Sequence, residues 1–170
     1  TINFDKFYCN YFKHKLEYAR KLLQNSEEND LVSLIVDLNS KILKIPSSRN
    51  ESFYIPLYVA TRLLKPKTVV ETGIHRGVSS LFILQALEDN EDGNLHSIDL
   101  PNAEYKINEK KVEKSILPVT KVGICVTPKL QKRWTKILGD SKIELPALLQ
   151  KLKTVDLFLH DSNHSYEHMM

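Results

Sequence analysis

Two short stretches hold most of the residues in this sequence with chemical potential. The first is Glu71-Thr72-Gly73-Ile74-His75-Arg76-Gly77-Val78-Ser79-Ser80, where a carboxylate, an imidazole, a guanidinium and two hydroxyls surround two glycines. The chain has only 5 glycines in 170 residues, where average usage gives roughly 12, so each is expected where the backbone demands it. Gly73 suits a tight strand-to-helix turn, and Gly77 lets the following helix pack close, with the intervening amides facing a ligand above the sheet. A dinucleotide fingerprint carries three glycines around a pyrophosphate. This turn has two, and Glu71 stands ahead of it. A carboxylate there repels a pyrophosphate and suits an ammonium group, which favours an amino-acid-bearing nucleoside over NAD. The second stretch runs from His160 and Asp161 to His168. It holds His160, His164 and His168, half of the six histidines. An imidazole with an ordinary pKa of about 6.5 beside a carboxylate is equipped to take a hydroxyl proton.

These groups need elements to hold them. Phe4, Phe7, Tyr8, Tyr11, Phe12, Leu16, Ala19, Leu22 and Leu23 recur at three-four spacing and predict a helix. After the polar break at 25–30, Leu31, Leu34, Ile35, Leu38 and Ile42 predict a second, ending before Pro46. Ser47-Ser48-Arg49-Asn50 marks the boundary between a helical cap, 1–50, and a core, 51–170. In the core, Tyr54–Leu64 reads as a helix stopped by Pro66, Thr68–Thr72 as a strand and Val78–Leu87 as a helix. Leu95–Asp99 is a second strand. A helix is expected around Ile107–Ile116, with Lys106–Lys114 as its solvated face. Trp134–Leu138 is a third strand, Leu145–Leu152 a helix and Val155–Asp161 a fourth strand. Strands alternating with helices predict an α/β fold, a parallel sheet with helices on both faces. Ligands of such sheets bind beyond the carboxyl ends of the strands. Glu71, Asp99, Asp140 and Asp161 stand at those ends, so four carboxylates are expected along one rim, although a single such Asp is commonly just a helix cap.

Composition excludes several classes. Hydrophobic residues are 42% and charged residues 26%, an ordinary globular mixture. The net charge of +3 is well mixed along the chain, which argues against a nucleic-acid partner. No apolar run approaches the roughly 18 residues of a membrane span, and no basic-then-apolar leader opens the chain. Cys9 and Cys125 stand far apart without CxxC spacing, so neither a disulfide framework nor a zinc site is expected, and a cytoplasmic protein is.

Taken together, Glu71 to Ser80, Ser97-Ile98-Asp99, Gly139-Asp140-Ser141 with Leu145-Pro146, and Asp156 to His168 resemble class I S-adenosylmethionine-dependent methyltransferases. The likeness is to the small-molecule branch with a D-x-D-H-[ST]-Y-E-type segment after the fourth strand, and it covers roughly residues 52 to 170. It implies a Rossmann-like fold and S-adenosylmethionine as cofactor. By the same resemblance, Glu71, Gly73, Gly77 and Ser79 surround the methionine part, Asp99 holds the ribose, and Asp140 with Ser141 lies against the adenine. Asp161 faces the transferable methyl, the substrate or Mg²⁺, and His164 is the base. Asn163 stands where that branch often has Asp, which weakens the case for a metal at Asp161. The reaction expected is methyl transfer to a small-molecule acceptor through a hydroxyl, because a His/Asp pair suits hydroxyl deprotonation.

Three other readings compete. His164 also suits a helix start held by ordinary hydrogen bonds. His164-x-x-Glu167-His168 matches the H-x-x-E-H pattern of inverted zinc peptidases, but that pattern needs a further ligand downstream. A non-catalytic nucleoside-binding or interaction module would keep the fold without turnover. The methyltransferase fold normally continues with three more strands after the fourth. The chain is therefore expected to be a fragment, truncated after that strand, or to cover the open edge of Val155–Leu159 with a second copy of itself.

Overall fold

The structure, a computed structural model, describes residues 4–24, 54–101, 104–108, 111–114 and 117–162. Helix α1 is Phe4–Gln24 and helix α2 is Tyr54–Leu64. Strand β1 (Thr68–Thr72) leads through the glycine turn into helix α3 (Val78–Asp89), and strand β2 (Asn94–Asp99) follows. A separate antiparallel hairpin is formed by β3 (Glu104–Asn108) and β4 (Lys111–Lys114). Two 3-10 turns, Val119–Lys121 and Pro128–Arg133, precede β5 (Trp134–Leu138), helix α4 (Ser141–Leu152) and β6 (Leu157–His160).

The hairpin replaces the helix expected around Ile107–Ile116. The alternation Tyr105-Lys106-Ile107 and the β-branched Val112 suit strands, and pairing Tyr105 with Glu113 satisfies backbone groups that a short charged helix would leave to water. At α4 the helix begins four residues earlier than its apolar pattern suggested, because Asp140 accepts the Lys142 amide at 2.9 Å and caps it.

The four parallel strands lie in the order β5-β2-β1-β6. The chain enters at the centre, steps outward twice and then crosses to the other side of β1, which is the Rossmann-like plan. Its direction reverses between β1 and β6, where Thr72 pairs with His160. Alternation sorts the side chains. Val69, Leu95, Leu157 and Leu159 face α1, α2 and α3, while Val70 and Ile98 face Leu145, Leu148 and Leu152 of α4. Helix α3 is apolar nearly all round, with Leu81, Phe82, Ile83 and Leu84 consecutively buried, because α2 covers the side that the sheet does not.

Helix α1 belongs to this same core through Cys9, Phe12, Leu16 and Ala19. Three polar ties fasten it: Arg20 makes a two-pronged pair with Asp89 at 2.9 and 3.0 Å, and Asp5 meets Arg76 at 3.2 Å and Lys121 at 2.8 Å. Tyr58 of α2 donates to the same Asp89 at 2.8 Å. The fourth tie is covalent: Cys9 and Cys125 form a disulfide. This corrects the expectation of two unlinked thiols. A separation of 116 residues hides the proximity that arises when α1 folds back over α3 and brings the two Cα atoms to 4.9 Å. Among the described residues no helix is long and apolar enough to cross a membrane.

Candidate functional site

The glycine turn sits at the switch point of the sheet. Gly73 has φ +92°, and a methyl group added there would lie 2.0 Å from the Asp161 carbonyl oxygen, so only glycine lets the turn pass the chain leaving β6. Gly77 has φ +77°, and its added methyl would meet the Gly123 Cα at 2.7 Å. The turn thus lies backbone to backbone on the segment before β5. That segment also donates to it, Gly123 N–H to the His75 carbonyl and Cys125 N–H to the Arg76 carbonyl, both at 2.9 Å.

The turn's amides do not form the outward-facing cradle expected from the sequence. Gly73 N–H donates to the Ile98 carbonyl at 2.8 Å, Gly77 N–H to the Ile74 carbonyl at 2.7 Å, and His75 N–H to Asp99 Oδ2 at 3.1 Å. These three amides are thus engaged, two of them with the end of β2.

Three of the four expected rim carboxylates are at the rim. Asp99 ends β2, half-buried against the turn. Burial pushes its carboxyl above the ordinary range, while the amides of His75, Ile74 and Leu100 pull the other way. Asp140 stands two residues beyond β5 as the cap of α4, with Ser141 as the first residue of that helix. Asp161 follows β6, exposed, its N–H donating to the Thr72 carbonyl at 2.8 Å. His75 projects from the same turn at φ +49°. Burial, with the neighbouring Arg76 charge, lowers its pKa, against the opposing charges of Asp99 and Asp161.

Glu71 is the exception. Strand alternation turns it off the rim and under the first turn of α3, where it is fully buried. There it accepts from Ser79, from Ser80 at 2.6 Å and from Ser97 at 2.7 Å. Desolvation raises its pKa, the three hydroxyls oppose that, and the Asp161 charge adds to the rise. Trp134 Nε1 donates to the same Ser97 hydroxyl at 2.9 Å. Ser79, placed beside the cofactor by the family resemblance, is buried and directed at Glu71.

His160 lies on the opposite face, with its Nδ1 2.8 Å from Thr72 Oγ1, in a structural position. His164, the expected base, lies outside the described residues, as do Asn163, Glu167 and His168 of the alternative zinc pattern. Ser80, Ser97 and Trp134 were not singled out from the sequence. Ser97 becomes readable only once β2 is registered against β1, Trp134 once β5 is registered against β2, and Ser80 once α3 is packed over the strand.

A family model described as a methyltransferase domain matches residues 70–170, more than half of the chain. No curated protein matches it. Three solved structures are similar. The SAH-bound methyltransferase PaMTH1 of Podospora anserina is 15% identical, with a TM-score of 0.40, over 79% of this chain and 53% of that one. A Klebsiella pneumoniae protein assigned as an O-methyltransferase is 15% identical, with a TM-score of 0.40, over 78% and 54%. The calicheamicin methyltransferase CalS11 is 14% identical, with a TM-score of 0.47, over 88% and 66%. The chain thus spans between about half and two thirds of the length of these structures.

Proposed function

The chain belongs to that methyltransferase-domain family, and from this premise we propose that it transfers a methyl group from S-adenosylmethionine to a hydroxyl oxygen of a small molecule. The observation that carries the reading is Asp99, a half-buried carboxylate at the end of β2, beside the glycine turn and accepting the His75 amide. Such a rim accepts hydrogen-bond donors and favours positive charge; it suits a ribose diol and an ammonium, and it disfavours a pyrophosphate.

The donor set fits a nucleoside bearing an amino acid. Asp99 would hold the ribose, Gly73 and Gly77 would keep the turn low enough for the methionine part, and Asp140 with Ser141 would border the adenine. Glu71 serves this site from beneath, through Ser79 and Ser80. When bound, S-adenosylmethionine supplies a sulfonium-activated methyl group. The protein's own share is alignment and proton removal. Asp161 orients the acceptor. His164 would take the hydroxyl proton at an imidazole nitrogen as the acceptor oxygen bonds the methyl carbon and the carbon–sulfur bond breaks, giving an ether and releasing S-adenosylhomocysteine. No step is routed through Mg²⁺. A second copy of the chain would pair with β6. The Cys9–Cys125 bond weighs against the cytoplasmic placement that the composition suggested, since such bonds persist in oxidising compartments.

Calorimetric titration with S-adenosylhomocysteine tests the cofactor, with NAD as control and with or without Mg²⁺. Binding is expected with S-adenosylhomocysteine alone, weakened at least about 10-fold in Asp99→Ala, the scale of a lost hydrogen bond to a charged group. Binding of NAD instead, or of neither, overturns the reading. Binding without methylation of any hydroxyl acceptor assigns a non-catalytic nucleoside module.

A further inference from the structure

Trp134 touches both layers that hold the glycine turn. Its Nε1–H donates to Ser97 Oγ at 2.9 Å. An indole N–H only donates, so the Ser97 oxygen must accept, and its own proton is directed to Glu71 Oε2 at 2.7 Å. Glu71 in turn receives Ser79 and Ser80 from the first turn of α3. The indole's polar edge therefore sets the direction of a buried hydrogen-bond chain that ends under the start of that helix.

The ring's other edge reaches the outer layer. A methyl group on Gly123 would lie 2.2 Å from Trp134 Cη2, so the ring sits directly on the Gly123 backbone. Gly123 is the residue on which Gly77 rests and whose N–H holds the His75 carbonyl. Lys136 adds to the same stack, with its Nζ 5.5 Å over the ring and donating to the Val122 carbonyl at 3.1 Å. One side chain on β5 thus grips the turn from below through Ser97 and Glu71, and from the side through Gly123.

We infer that Trp134 is a positioning residue for the cofactor turn, acting through the Ser97–Glu71 chain and the Gly123 backbone without touching the ligand. The inference rests on the reading of this turn as an S-adenosyl cofactor site. Trp134→Phe removes the N–H and, its ring being shorter than the indole, also the far ring edge that rests on Gly123. It is expected to weaken S-adenosylhomocysteine binding about 3- to 10-fold, the effect of a lost buried hydrogen bond. In a Ser97→Ala background the same change is expected to cost less than in the parent, because the part of the loss carried by the Trp134–Ser97 hydrogen bond is already gone. The chain has 1 Trp, so the indole N–H gives one resonance in a nitrogen–proton correlation spectrum. That resonance is expected to move in Ser97→Ala and to move in the unsubstituted protein when S-adenosylhomocysteine is added.

A Trp134→Phe protein that binds as tightly as the parent overturns the inference and leaves the cofactor reading standing. Equal losses in both backgrounds, or an indole resonance that ignores the ligand, reduce Trp134 to a space-filler and likewise overturn it. A parent protein that melts cooperatively but binds no S-adenosylhomocysteine removes the cofactor reading and this inference together.

Discussion

A carboxylate buried under a helix start is the most consequential single group in this protein. Its pKa is raised by burial above the ordinary value of 4.5. In the window between that value and the raised one, the native state keeps a proton that the unfolded chain has lost. Stability contributed by Glu71 is therefore full at low pH and falls as pH rises through the native pKa. Asp99, raised for the same reason, acts in the same direction. Urea titrations at a series of pH values are expected to show stability declining less steeply with pH in Glu71→Gln than in the parent, and an unchanged slope would contradict the assignment. Gly73 makes a second prediction at this scale. Alanine there must hold φ +92° and move the Asp161 carbonyl. Gly73→Ala is expected to lose at least about 1–3 kcal/mol by urea denaturation.

Among the elements, α1 and α4 report how local chemistry decides boundaries. Asp140→Ala removes the cap on α4 and is expected to cost about 0.5–2 kcal/mol. Cys9→Ser opens the disulfide between α1 and the segment before β5 and is expected to cost about 2–5 kcal/mol. Thermal melts with and without a dithiol reductant check this, since the reductant should lower the parent's midpoint and leave Cys9→Ser unmoved. The elements also show what was legible in the sequence. Strands β1, β2 and β5 and helices α2 and α3 follow from β-branched runs and apolar periodicity, and the order of polar strand ends announced the crevice. The β3–β4 hairpin was not legible, because Ile107, Val112 and Ile116 with interleaved lysines satisfy a helical pattern as well as a strand pattern. The inward turn of Glu71 was hidden for a different reason. Its partner Ser80 lies 9 residues away, on the helix packed over the strand, and Ser97 lies 26 residues away, brought alongside only by the register of β2 against β1. Likewise no spacing rule connects Cys9 to Cys125.

At the scale of the whole molecule, a ligand that binds only the folded chain stabilises all of it. S-adenosylhomocysteine at about 100 times its Kd is expected to add about 2.7 kcal/mol, read as a raised melting midpoint, and an about 10-fold weakening in Asp99→Ala should cut that gain to about 1.4 kcal/mol at the same concentration. Among the described residues β6 has one strand neighbour, β1, and carries Phe158 at 49% exposure. Static light scattering should therefore show self-association that Phe158→Lys reduces. The disulfide has a further consequence for the molecule's connectivity. It closes residues 9 to 125 into a covalent ring, and Glu71, Gly73, Gly77 and Asp99 all lie on that ring, whereas Asp140, Asp161 and His164 lie on the tail that leaves it. A protease that cuts once inside the ring leaves a single covalent molecule until a reductant is added. One that cuts once between residues 125 and 140 parts the residues proposed for the cofactor's methionine and ribose from those proposed to border its adenine and handle the acceptor.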